Sequence, residues 1–260
     1  MARLFILGLG YTASRLAERL RERGWHVDAT GSAGNVDFAN REAVRHALTS
    51  ASHVLSSVPP DRESGADPVL EKYAGLLGAR WLGYLSSTGV YGDTDGAWVD
   101  ESGPVGLGRR TARADCDAHW LAKGARVFRL PGIYGPGRSA FERVREGKGH
   151  RIDLPEQVFS RAHVDDIGSA VMAALQGDAP AGAYNIADDL PTSQNAVIEE
   201  ACRLLGIEPP PLQSLEEADL SPMARGFYVE NRRVANGKAK RVLGWEPAFP
   251  TYREGLASLL

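Results

Sequence analysis

"RLFILGLGYTASRLAERLRERG" (residues 3–24) decides the fold. Its first half is an apolar run that ends in glycines, the pattern of a buried strand. From Thr12 to Arg23, Ala13, Leu16, Ala17 and Leu20 recur at i, i+3, i+4 and i+7, so one face of a helix is apolar, and Gly24 stops it. Between them, Gly8, Gly10 and Ala13 form G-x-G-x-x-A. Gly8 allows a tight turn, Gly10 lets the backbone approach a pyrophosphate, and Ala13 keeps the helix close to the sheet. The helix start, Tyr11 and Thr12, offers free amides and partial positive charge to an anion. At the first strand–helix junction this motif points to a dinucleotide; the ligand-free alternative is a plain tight turn.

Outward from that unit, strands and helices alternate, which predicts an α/β fold: a Rossmann-type, doubly wound, mostly parallel sheet. Strands are expected at 25–30, 34–40 (short), 52–58, 80–87 and 125–135, with helices at 41–49 (capped by Asn40) and 67–79. A helix near 107–121 follows the turn "PVGLGRRTARAD". Beyond residue 135 the alternation weakens. The expected division is a nucleotide-binding domain over 1–190 and a smaller C-terminal substrate lobe over 191–260, to which residues 136–160 contribute.

With 43% apolar and 24% charged residues and a net charge of −3, the composition is that of a soluble globular chain without a basic field for nucleic acid. No run approaches a membrane span, and the apolar start leads into a charged helix without a cleavage site. Cys116 and Cys202 lie far apart and match no metal spacing, so no metal is expected and the cytoplasm is the expected compartment.

The second strand sets the choice between NAD and NADP. Asp28 lies 20 residues after Gly8 but inside the strand, whose end reads Thr30-Gly31-Ser32; Thr30 and Ser32 are the candidate cofactor contacts there, and neither an acid for ribose hydroxyls nor an arginine for a 2′-phosphate stands out. The choice stays open. Asp37 and Phe38 suit an adenine pocket, or else a solvated carboxylate beside a core ring.

"YLSSTGVYGD" (84–93), "RLPGIYGPGR" (129–138), "HVDDIGSAVMAAL" (163–175) and "AKRVLGWEPAFPTYREGL" (239–256) follow in order. With the glycine turn they resemble the extended short-chain dehydrogenase/reductases, the family of NAD-dependent epimerases and dehydratases. The resemblance implies NAD or NADP as cofactor, a small-molecule substrate such as a nucleotide sugar, and a monomer or homodimer. It places Val58 and Pro59 along the cofactor, Arg129, Pro131 and Gly132 against the nicotinamide, and Ser87, with Thr88 beside it, on the reacting oxygen. Tyr134, Arg138 and His163 become candidate substrate contacts. Tyr134 equally fits a turn, and His163 a structural hydrogen bond.

The family's Tyr-x-x-x-Lys proton-transfer pair is absent. Aligned on Asp117, its positions hold Arg109 and Arg113; aligned on Asp115, Leu107 and Thr111. Arginine stays protonated and cannot act as a base. The chain thus resembles an atypical subgroup that has lost the pair. Three readings follow. An enzyme can use Tyr91 as its acid, with Arg109 and Arg113 holding an anionic substrate. A redox-sensing or regulatory protein can bind NAD(P) without turnover. Or the arginines are a solvated helix face, a reading that suits Arg110 best.

Overall fold

The computed structural model describes residues 2–78, 80–177 and 179–260. In chain order the strands are β1 (Arg3–Leu7), β2 (His26–Ala29), β3 (His53–Ser56), β4 (Trp81–Ser87), β5 (Trp98–Val99), β6 (Arg126–Leu130), β7 (Gly132–Tyr134), β8 (Arg151–Ile152), β9 (Arg161–His163), β10 (Gly182–Asn185), β11 (Leu212–Gln213) and β12 (Arg233–Val234). The helices are α1 (Tyr11–Glu22), α2 (Arg41–Ser50), α3 (Pro68–Tyr73), α4 (Thr111–Ala122), α5 (Ala140–Arg145), α6 (Val164–Gln176), α7 (Gln194–Leu205), α8 (Pro222–Arg225), α9 (Gly237–Leu243) and α10 (Tyr252–Ala257).

Six strands form one parallel sheet in the order β10-β6-β4-β3-β1-β2. The order reverses between β1 and β3, so a crevice opens there at the carboxyl ends of the strands, where ligands of such sheets bind. On one face, the stripe Ala13, Leu16, Ala17 and Leu20 of α1 packs with α6 over the sheet. On the other, α2, α3 and α4 bury Val44, Leu48, Val69 and Trp120. Each large apolar side chain buried in this way contributes about 1.5–3 kcal/mol. Caps fix the helix starts: Asn40 accepts from Ala43 N at 3.1 Å, and Asp67 from Val69 N and Leu70 N.

The expected strand over 34–40 does not form. Only a single bridge joins Val36 to Thr30, because the chain folds back so tightly that a Cβ at Gly34 would lie 2.3 Å from Ala29 O. The sixth place in the sheet is taken by β10 instead. The expected strand over 125–135 divides at Pro131. Its first part, β6, stays in the sheet, while its second, β7, pairs with β9. Beyond the sheet, α5, α7 and α10 share a separate apolar cluster around Phe141, Ile198, Cys202 and Leu256. No described helix is long and apolar enough to cross a membrane.

Candidate active site

A cleft of about 880 Å³ opens at the carboxyl edge of the sheet. One end is the glycine turn. Gly8 has φ +91°, and a Cβ there would lie 3.0 Å from Val58 Cγ2. The turn is pinned from both sides: Gly8 N donates to Thr30 Oγ1 at 3.0 Å, and the Ser57 hydroxyl donates to Gly8 O. Gly10 begins α1 without a capping side chain, and nothing lies within 4 Å of where its Cβ would stand. The cleft therefore meets bare backbone at Gly10 and uncapped amides at Tyr11, Thr12 and Ala13, a cradle that fits a pyrophosphate. Arg138 sits over the Tyr11 ring at 5.6 Å in the same wall.

The middle of the cleft is the end of β4. Ser87 Oγ accepts from Gly89 N at 3.1 Å, an arrangement that leaves its own proton free to donate. Thr88, Pro131 and Gly132 line the cleft beside it.

The far wall belongs to the arginines. Helix α4 begins only at Thr111, so Arg110 is its uncapped N-cap and Arg109 precedes it. Arg109, Arg110 and Arg113 all line the cleft. Arg113 donates to the Tyr84 hydroxyl at 2.8 Å, and Arg109 Nε lies 3.7 Å from Glu230. The reading of Arg110 as plain surface is corrected. It is half-buried with its guanidinium 5.8 Å from the Phe227 ring, and burial, then the charges of Arg109 and Arg113, lower its pKa. Arg138, Arg143, Arg161 and Arg232 also line the cleft, against two carboxylates among the described residues. Both are committed: Glu142 to the cap of α5, Glu230 to Arg109 N and Arg232.

Below the floor lies a buried network that the sequence did not reveal. Asp117 receives Arg129 through Nε at 3.1 Å and Nη2 at 2.7 Å, and Ser86 Oγ at 2.7 Å. Arg129 also donates to the Tyr91 hydroxyl at 2.9 Å, which donates to Asn185 Oδ1 at 2.7 Å. Tyr91 is thus no candidate acid. It is 2% exposed, does not line the cleft, and burial pushes its pKa up to about 12.

Other expected contacts lie outside the cleft lining. The His163 ring, 1% exposed, caps α6 by accepting from Asp165 N at 3.2 Å and packs against Phe249 and Tyr134. It holds structure rather than substrate. Tyr134 does line the cleft, yet its hydroxyl turns away, against Gly255, and has no partner among the described residues. Phe38 packs edge-on to Tyr73, and the exposed Asp37 accepts from Ala39 N. Asp28 is held by Asn35 and His26 within its strand. Thr30 is spent on Gly8, Ser32 is exposed, and Val58 abuts Gly8, while Ser57, and neither Val58 nor Pro59, lines the cleft.

No family model matches the chain. It is 30% identical to a 3-diazoavenalumate denitrifying reductase of a Streptomyces species over 253 residues, covering 85% of this chain and 80% of that protein. Among solved structures, a conserved protein of unknown function from Silicibacter pomeroyi is 40% identical, with a TM-score of 0.88 and coverage of 100% and 98%. The dTDP-glucose 4,6-dehydratase of Bacillus anthracis, solved with NAD, shares the fold with a TM-score of 0.79 at 18% identity, over 100% of this chain and 95% of its own.

Proposed function

Because the chain belongs to the extended short-chain dehydrogenase/reductase family, we propose that it is an NAD(P)-dependent oxidoreductase that reduces a small anionic substrate. The observation that carries this reading is the Ser87 hydroxyl, its proton uncommitted, facing a wall of arginines where the family's Tyr-x-x-x-Lys pair would stand. The Streptomyces relative, itself named a reductase, supports it.

When bound, the nicotinamide supplies a hydride. The bare turn at Gly8 and Gly10 and the start of α1 hold the pyrophosphate, with Arg138 as a nearby cation. Pro131 and Gly132 form a smooth wall for the ring. Ser87 donates a hydrogen bond to the acceptor's oxygen and so orients and polarises it. The arginines cannot take or give a proton, so they attract and hold negative charge, and the proton that completes reduction comes from water. The segments around α5, α7 and α10 serve as the substrate lobe.

The test has two steps. Fluorescence titration with NADPH and NADH is expected to show binding, weakened at least about a hundredfold in Gly10→Val, which fills the pyrophosphate cradle. Loss of reduced-nicotinamide absorbance is then followed with carbonyl acceptors that carry a carboxylate or a phosphate. Binding without turnover on any acceptor would sink the enzyme reading and leave a redox-sensing protein.

A further inference from the structure

Seven arginines line the cleft, and Arg110 differs from its two neighbours in one respect. Arg109 has Glu230, and Arg113 has the Tyr84 hydroxyl. Among the described residues, no hydrogen-bond or ion-pair partner meets the Arg110 guanidinium. Phe227 offers it a ring face at 5.8 Å, which packs against the cation but accepts nothing along its N–H directions. A half-buried guanidinium with five donors and no acceptor is costly unless something else supplies the acceptor.

The placement of this side chain is specific. Gly89 follows Ser87 by two residues and is not in the left-handed region, so its backbone would tolerate a side chain. A side chain there would have to displace the arginine stem: a Cβ at Gly89 would lie 2.7 Å from Arg110 Cδ. That same point is 3.3 Å from Ser87 Oγ and 3.4 Å from Arg110 Nε. The missing side chain lets the arginine stem cross the strand end and brings its head group within one small molecule's reach of Ser87. Among the described residues, Glu230 is the carboxylate that acts on Arg110, but it is held by Arg109 N and Arg232, so with Arg109, Arg113 and Arg232 nearby positive charge stays in excess.

We propose that Arg110, seated by Gly89, holds the oxyanionic group of the hydride acceptor, a carboxylate or a phosphate carried a few bonds from the atom that Ser87 contacts. The acceptor is therefore compact, with its charge beside the reacting centre. This rests on the reductase reading only for what Ser87 contacts; the anion site itself stands on Arg110 and Gly89.

Calorimetric titration of the full chain, with and without NADPH, tests it, with benzoate and inorganic phosphate as probes. The wild type is expected to bind at least one probe, and Arg110→Gln to bind it at least about tenfold more weakly. Gly89→Ala, which displaces the stem but keeps the charge, should weaken it in the same direction. Arg145→Gln, which removes an equal charge outside the cleft lining, should not. Arg110→Lys separates the two anions: it retains phosphate, which needs a point charge, and loses benzoate, which needs the planar fork. Unchanged affinity for both probes in a folded Arg110→Gln variant, judged by its circular dichroism and melting temperature, overturns the proposal, as does failure of the wild type to bind either. If Arg110→Gln loses the anion while no acceptor is reduced by any form, the anion site stands and the reductase reading falls.

Discussion

Arg129 and Arg110 carry the same group in two settings, one beneath the cleft floor and one in its wall. Arg129 is 3% exposed, and although burial works against its charge, the fork it makes with Asp117 holds it protonated. Each of its three guanidinium nitrogens meets an oxygen from Asp117 or Tyr91. Arg110 is less buried and meets none. A fully satisfied buried cation belongs to the fold, whereas an unsatisfied one facing a cleft marks where a ligand completes the set.

Arg129→Met breaks the first half of this contrast and has the largest expected effect. It strands the Asp117 carboxylate at 1% exposure, which costs about 3–5 kcal/mol in urea unfolding. Replacing Asp117 by Leu as well should recover much of that loss. A single-variant loss below about 1 kcal/mol would put the pair in the class of exposed ion pairs and erase the distinction.

Tyr91→Phe removes one link and should cost about 1–3 kcal/mol of stability while leaving NADPH affinity unchanged. A fall in hydride transfer larger than the fall in folded protein would return Tyr91 to the chemistry.

Asp188 presents the contrast with the opposite sign. It is 3% exposed, neither carboxylate oxygen has a partner among the described residues, and burial pushes its pKa up to about 7, only partly opposed by Arg161. The folded state then binds a proton more tightly than the unfolded one, so stability is highest below the ordinary value of 3.8 and falls as pH rises through about 7. Asp188→Asn should melt several degrees higher than the wild type near about pH 8, with the gap closing near about pH 4. A gap that does not change with pH would mean that the carboxyl is already paired.

The smallest effect is expected at Arg110→Gln. With no partner to lose and two like charges nearby, its stability should stay within about 0.5 kcal/mol of the wild type or rise slightly. A large loss would reveal a structural bond for this guanidinium and remove the contrast altogether.

Much of this architecture was legible in residues 3–24, because a buried strand, a glycine turn and an apolar helical stripe each leave a periodic mark. The same holds for β3, β4 and β6. Residues 34–40 misled, since alternation there looks like a strand while Gly34 closes the chain onto Ala29 too tightly for a ladder. The arginines were visible as a cluster but not as individuals. Their roles depend on where α4 starts, and its N-cap is Arg110, which makes no capping hydrogen bond and is not a residue type that announces a helix start. Tyr91 lies near Ser87 in sequence, yet one 3₁₀ turn (Thr88–Val90) carries it beneath the floor instead of over it. The network it joins could not be read locally, because its members lie between positions 86 and 185.

That spacing bears on the order in which the molecule forms. A chain growing from its N-terminus presents Ser86, Tyr91, Asp117 and Arg129 long before Asn185, which gives Tyr91 its acceptor, and Ala235, whose carbonyl takes the Asn185 amide at 3.1 Å. Until those segments dock, the floor holds a half-satisfied set of polar groups, a state less favourable than either extreme. The floor beneath the cleft thus becomes fully bonded only once residue 235 is in place, and a chain truncated before residue 185 would have its sheet begun and its floor unfinished.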